Sequence, residues 1–337
     1  MPKVEEPRRR KAPTLYDVAR LAGVSHQTVS QVVKSGPNVK PDTRHRVEAA
    51  IAELNYTPNM AARTLATAKS HRIGVLFFDR YDDVGPTRTM QAAVDHARDA
   101  GFVVDIVGFD PRIPTRIDSA VELVLQAGVA GILVFTPTAD VIDAVRQHDM
   151  PVPVVIDSIA ASASVEPRVG MRIATEYLAD LGHRRFAHVS GPLSWIPAQH
   201  RAGQFHAVVD ERKLVVVAEF EGDWSSRSGY EAGLQMPVDQ GITGIVVAND
   251  QMALGVLKAL KQRNLRVPQD ISVIGFDDIA EAGYFEPALT TISNDFEGQG
   301  RMAMDALLSL IDPRRSREVV SSRDPVLIVR ESTSAPA

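Results

Sequence analysis

Apolar positions along this chain change their rhythm near residue 70. Before it they recur every three or four places: Leu15, Val18, Ala19 and Ala22, then Val29, Val32 and Val33, then Val47, Ile51 and Leu54. That period predicts three short helices, each burying one stripe. The punctuation agrees. Thr14 can cap the first helix, with Asp17 in its first turn where a carboxylate suits the positive dipole end. Gly23 ends it as a C′ glycine would. Ser25 opens the second helix, and Pro41 suits the first position of the third.

Beyond Ser70 the pattern alternates. Short apolar runs at 72–78, 103–107, 131–135, 152–157, 186–190, 215–220, 244–248, 271–276 and 325–329 read as strands. Helix-period stretches separate most of them, among them 87–100, 118–127, 172–181, 249–263 and 295–311. Alternating β and α units with apolar strands predict parallel sheets covered on both faces. About 260 residues suit two such sheets better than one.

Charge divides the chain at the same place. Residues 1–72 hold 13 Lys+Arg and 6 Asp+Glu, a net of +7; of the whole chain's 37 and 42 this leaves 24 and 36 for the remainder, a net of −12. A basic unit beside an acidic one is the electrostatic pattern of a nucleic-acid binder. Arg8 to Lys11 alone would read as a solvated tail, but Lys34, Lys40, Arg44, Arg46 and Arg63 are spread through patterned sequence. With its valines facing inward, the second helix turns His26, Gln27, Ser30, Gln31 and Lys34 outward. Such a stripe of hydrogen-bonding side chains without carboxylates suits a major-groove recognition helix. Two short helices joined by a glycine turn form a helix-turn-helix.

Several chemistries are excluded. The chain has no cysteine, so disulfides, thiolate catalysis and Cys-ligated metals do not arise. It has no G-x-G-x-x-G after a strand, no P-loop, no G-x-S-x-G elbow and no H-E-x-x-H; its nine histidines are scattered. No cofactor, metal site or catalytic residue is expected. No apolar run approaches the ~20 residues of a membrane span, and no apolar region follows the basic N-terminus as in a signal peptide. A cytoplasmic location is the expectation. A glycosidase using a carboxylate pair and a solute receptor of a transporter are the two other classes that fit such a core. The basic N-terminal unit disfavours both.

The segments TLYDVARLAGVSHQTVSQVV and VEAAIAELNYTPN closely resemble the N-terminal unit of the lactose-repressor (LacI/GalR) family of bacterial transcription regulators. VVANDQMALGVLKAL, DISVIGFDDIAEAGYFEPALTTISNDF and the ending VREST match signatures of the same family. The resemblance implies an α/β protein: an N-terminal all-α helix-turn-helix headpiece, then a periplasmic-binding-protein-like core of two Rossmann-like lobes. The expected division is a basic tail at 1–13, the headpiece at 14–58, and a hinge helix and linker at 59–71. The core follows at 72–330, with lobe 1 about 72–157 and 294–322 and lobe 2 about 160–292 and 323–330. Residues 331–337 are expected to be a tail.

The resemblance also assigns roles. His26, Gln27, Gln31 and Ser30 would meet base edges of a double-stranded operator, with Ser25, Thr28, Lys34, Asn38 and Lys40 nearby or on phosphates. Many relatives carry Arg in place of Gln31 and Tyr in place of His26; Gln favours adenine where Arg reads guanine, so the operator should differ. Lys40 stands where a Ser usually caps the third helix, and Met60 replaces a commonly basic residue. In the hinge, Asn59 would cap a short helix, Ala62 would lie on it, and Leu65 would wedge into the minor groove and kink the duplex. A helix so short is marginal alone, which suits an order–disorder switch.

Open α/β sheets bind ligands beyond the carboxyl ends of their strands. The family pattern places Asp157, Arg201, Trp224, Asn249, Asp277 and Phe296 against an effector, most plausibly a sugar or glycoside. Asp82-Asp83 and Gly85-Pro86 sit where lobe 1 would reach it. A homodimer on a palindromic operator is the expected assembly, with no membrane partner. Whether the effector releases or tightens the operator, and whether a phosphoprotein takes part, stays open at this point.

Overall fold

The computed structural model describes residues 13–33, 39–57, 70–78, 84–110, 113, 115–136, 138–157, 169–315 and 321–337. The chain divides into two compact units, Met1–Ser70 and His71–Ala337.

In the first unit, α1 (Leu15–Ala22), α2 (His26–Val33) and α3 (Pro41–Leu54) enclose a small core. Val18, Val29 and Val47 have no exposed surface. Thr14 and Asp17 form a capping box, in which each side chain bonds the other's backbone N–H. Gly23 closes α1 at φ 65°, a left-handed conformation that glycine enters without a Cβ clash. Asn55 closes α3 in the same region, at φ 48°.

The second unit has two lobes of alternating strands and helices. Lobe 1 is a parallel sheet in the order β2-β1-β3-β4, built from β1 (Arg72–Phe78), β2 (Val103–Phe109), β3 (Ile132–Phe135) and β4 (Val154–Asp157). Helices α4 (Val84–Asp99), α5 (Thr115–Gln126) and α6 (Ala139–Gln147) connect its strands. Lobe 2 repeats the plan after α7 (Gly170–Asp180). Its order is β6-β5-β7-β8, from β5 (Arg185–Ser190), β6 (Val215–Glu221), β7 (Gly244–Val247) and β8 (Ser272–Ile274). Its connecting helices are α8 (Ile196–Arg212), α9 (Ser226–Gln235) and α10 (Asp250–Gln262). An antiparallel pair, β9 (Thr291–Ser293) and β10 (Val326–Ile328), continues from β8 through bridges at Thr290 and Ser293. Between β9 and β10 the chain returns to lobe 1, where α11 (Phe296–Ile311) packs against α4 and contributes Met304, Leu307 and Leu308 to that lobe's core.

Burial explains why the strands read as continuous apolar runs. In β3 and β7 every residue is buried, because helices cover both faces. Helices α9 and α10 approach closely through small residues: a Cβ on Gly229 would overlap the Met252 carbonyl, and one on Gly255 the Ser226 carbonyl.

Three expectations need correction. Helix α4 begins at Val84 rather than 87, so Gly85 and Pro86 lie in its first turn, where a proline's missing N–H costs nothing. Strand β8 ends at Ile274, short of 276, because beyond it the backbone leaves β7 and bonds the Thr290 and Ile292 carbonyls instead. The stretch 331–337 is not a trailing tail. Ser332 is fully buried, takes a hydrogen bond from the Val273 N–H at 2.9 Å on its carbonyl and donates its hydroxyl to the Val273 carbonyl at 2.6 Å. Ser334 is held by the buried His183 ring, 2.9 Å from its carbonyl, so this stretch closes the edge of lobe 2.

Candidate functional site

On the headpiece, Ser25 accepts the Thr28 N–H at 3.1 Å and so caps α2 as expected. Val29 and Val32 face the core; His26, Gln27 and Gln31 are exposed and Thr28 and Ser30 half-buried. Of the expected stripe, His26, Gln27 and Gln31 therefore face outward, with Ser30 half-buried beside them. Tyr16, which carried no sequence signal, lies with its ring centroid 5.2 Å from that of His26 and fixes one edge of the stripe. Lys40 precedes α3 without a side-chain cap, as expected of a lysine there, and is exposed. Lys34, Asn38, Asn59, Ala62 and Leu65 lie outside the described residues.

The second site is the cleft between the two lobes. All six effector candidates line it: Asp157 at the end of β4, Arg201 on α8, Trp224 after β6, Asn249 at the start of α10, Asp277 after β8 and Phe296 at the start of α11. Gly85 and Pro86 line it too, whereas Asp82 and Asp83 lie outside the described residues. Counting its open mouth, the cleft holds about 730 Å³.

The polar centre belongs to lobe 2. The Arg201 guanidinium donates to the Ala248 carbonyl and, at 3.1 Å, to Asp277 Oδ1. Both side chains are largely buried, 14% and 9% exposed. The guanidinium also lies 4.0 Å from the Phe276 ring centroid and 5.4 Å from that of Trp224, within cation–π range. Burial pushes the Asp277 carboxyl up, against the opposing pull of Arg201. Asn249 has a double role: its carbonyl oxygen caps α10 through the Met252 N–H at 2.9 Å, while its amide donates to the Trp224 carbonyl at 3.0 Å.

That last bond holds a strained residue. Trp224 sits at φ 72° and Asp277 at φ 107°, both in the region that side chains disfavour, with Asp278 following at φ 50°. Such outliers persist only where surroundings over-determine them. Here Asn249 and Arg201 do so from the neighbouring elements.

Further residues complete the site, among them Asp250, which the sequence offers only as a polar residue at a strand's carboxyl end that could cap a helix. Asp250 is fully buried behind Asp277. It accepts from the Thr291 hydroxyl at 2.6 Å and the Ile279 N–H at 2.9 Å, tying the start of α10 to the 277–279 turn. Burial, with the nearby Asp277 carboxylate, pushes it up to about 8 against those hydrogen bonds. Phe78, Trp195 and Pro197 line the cleft as well. The signal for Phe78 was available, since it ends β1 where ligands are expected. Trp195, five residues past β5, had none.

Among the described residues, no three or more His, Asp and Glu side chains form a group that could hold a metal, and no helix is long and apolar enough to cross a membrane.

With this geometry established, comparison with known proteins is direct. Residues 14–59 match the family model for bacterial regulatory proteins of the lacI family, and residues 175–333 the periplasmic binding protein-like domain. The lactose operon repressor of Escherichia coli K12 is 36% identical over 335 residues, covering 97% of this chain and 92% of that protein. The ribose operon repressor of the same strain is 32% identical, covering 95% and 99%. Among solved structures, the lac repressor dimer bound to operator and the anti-inducer ONPF superposes with a TM-score of 0.83 at 35% identity, covering 96% of this chain and all of that one. A complex of the regulator CelR with cellobiose gives 0.67 at 25% identity, covering 95% and 99%. These relatives are repressors and regulators, not enzymes. The headpiece stripe, the two-lobed core and the full-length match agree: the chain belongs to the lacI family, as a DNA-binding transcriptional regulator.

Proposed function

We propose that this protein represses carbohydrate-utilisation genes as a cytoplasmic homodimer bound to a palindromic operator, and that a sugar or glycoside in the cleft releases it. The observation that carries the reading is the convergence of six side chains from both lobes on one cleft. Arg, Asn and carboxylate groups suit sugar hydroxyls, and aromatic rings suit the C–H faces of the ring. His26, Gln27, Ser30 and Gln31 read base edges. Ser25, Thr28, Lys34, Asn38 and Lys40 hold phosphates or their neighbourhood, and Leu65, between Asn59 and the end of the hinge, wedges the operator open. Bound effector changes the angle between the lobes and lowers operator affinity; by linkage, operator lowers effector affinity by the same factor.

The reading is tested by fluorescence anisotropy on a pool of palindromic operators at fixed salt, because phosphate contacts make affinity salt-dependent. Galactosides, glucosides and pentoses are then titrated in. Sequence-specific binding released by one of them is the expected result. Specific binding that no sugar changes would overturn the effector assignment, and the absence of specific binding would overturn the operator reading.

A further inference from the structure

Asp277 is presented to the cleft by a turn that is restrained from several sides. Its N–H donates to the Ile292 carbonyl at 2.8 Å, and Arg201 pairs with its carboxylate. Asp250 takes the Ile279 N–H from behind. Between these anchors lies Asp278, at φ 50° directly after Asp277 at φ 107°. The Asp278 carboxylate accepts from Arg330 Nη2 at 2.7 Å, and both side chains are 23% exposed. Arg330 stands outside the residues that line the cleft.

Arg330 follows β10 and is itself firmly placed. Its Nη1 donates to the Leu289 carbonyl at 2.8 Å, and its backbone N–H donates to the Thr290 hydroxyl at 2.9 Å. The next residues continue the grip. The Glu331 N–H donates to the Ala288 carbonyl at 2.9 Å, and the Thr290 N–H to the Ser332 hydroxyl at 2.8 Å. One rigid guanidinium fork thus ties Asp278 to a braced segment. Two consecutive positive-φ residues that carry side chains persist only where their surroundings hold them. Rotation of the backbone between Asp277 and Asp278 swings the Asp277 carboxylate, so releasing Asp278 misplaces the group assigned to the effector. Resting on the effector reading above, we propose that Arg330 is a positioning residue: through Asp278 it sets the aim of Asp277, and so the affinity for effector.

The test measures sugar and operator separately on the full-length protein. Methyl β-galactoside, methyl β-glucoside, arabinose, ribose and xylose are titrated in. The chain has only two tryptophans, Trp195 and Trp224, and both line the cleft, so intrinsic fluorescence reports binding directly. For the sugar that binds, Arg330→Ala should raise the Kd about tenfold, a common size of coupling between residues in contact. Operator affinity without sugar should stay unchanged, and the sugar concentration for half release should rise. Asp278→Asn keeps the shape and tolerates a positive φ, so it removes only the charge-assisted bond. It should weaken the sugar in the same direction, and adding Arg330→Ala to it should change little. Arg330→Lys, which retains the charge and guards against a folding defect, should recover most of the loss. A lower urea midpoint with an unchanged sugar Kd in Arg330→Ala and Asp278→Asn would overturn the positioning role. Losses that add in the double variant Arg330→Ala/Asp278→Asn would overturn it too, since Arg330 would then act elsewhere. Binding of none of these sugars by the unmodified protein, with operator binding intact, would overturn the effector reading itself and the role of Arg330 with it.

Discussion

Replacing Arg201 by Ala removes one member of a buried ion pair and strands the other. Asp277 is 9% exposed, and without Arg201 it keeps the Asn294 side chain as a hydrogen-bond partner and the buried Asp250 carboxyl as a neighbour. Breaking a buried pair from one side costs about 3–5 kcal/mol, and the lost contacts with the Phe276 and Trp224 rings add to it. The cost depends on pH. Asp277 is already pushed up by burial; without Arg201 it rises further above its unfolded value. A carboxyl raised in the folded state adds stability at low pH and loses it as pH rises through the folded value. Arg201→Ala should therefore be mildly destabilised at pH 5 and most destabilised near pH 8. Urea titrations followed by tryptophan fluorescence at both pH values measure this. The double variant Arg201→Ala/Asp277→Asn removes the stranded charge and should regain part of the loss at pH 8, a coupling of about 1 kcal/mol or more between residues in contact. A loss below about 1 kcal/mol at pH 8, or a double variant no better than the single, would refute the reasoning. Functionally, Arg201→Ala should keep the operator and fail to release it at any effector concentration.

Asp250→Asn keeps the shape of the buried latch and removes its proton. Because Asp250 is raised to about 8, the native protein should lose stability as pH rises from about 4 to 8, and the variant should show a flatter profile in thermal melts across that range. Gly255→Ala forces a methyl group into the Ser226 carbonyl and should cost about 1–3 kcal/mol or more in urea unfolding; a neutral result would refute the tight α9–α10 contact. Leu65→Ala should weaken operator binding by tenfold or more in anisotropy, with effector titrations by tryptophan fluorescence unchanged; equal operator affinity would remove the wedge from the proposal.

What the sequence made legible depends on the range of the interaction involved. The headpiece was readable to the residue because caps and stripes act within one helical turn: Thr14, Gly23 and Ser25 each announce a local backbone geometry. The strands were readable because burial on both faces leaves no polar alternation. Family likeness selected the six cleft candidates, which are spread over the chain from 157 to 296; strand ends marked Asp157, Asn249 and Asp277, but nothing local marked Arg201, Trp224 or Phe296. The latch of Asp250 and the place of Trp195 in the cleft wall were not legible. Both depend on contacts such as Asp250 with Thr291 and Trp195 with Phe78, which only the packed lobes create. Gly85 falls between these cases. Its place in α4 could be argued from Pro86, but its reason, a Phe296 ring 2.8 Å from where its Cβ would stand, belongs to α11.

The two halves of the cleft differ in kind, and that difference bears on control. The lobe 2 half is braced by its own contacts: Arg201 is paired with Asp277 and Asn249 holds Trp224, with Asp277 and Trp224 in strained backbone. The lobe 1 half is supplied by the first turns of α4 and α11 and by the end of β4. A ligand shifts an equilibrium only by its difference in affinity for the two states. In the proposed mechanism, contacts with the lobe 2 half are the same at any angle between the lobes, so they contribute affinity and no signal. In the same mechanism, contacts with Pro86, Asp157 and Phe296 form only at the angle that brings lobe 1 to the ligand. A compound that reaches lobe 2 alone would occupy the cleft and leave the operator bound, whereas one that spans both halves would convert its lobe 1 contacts into release.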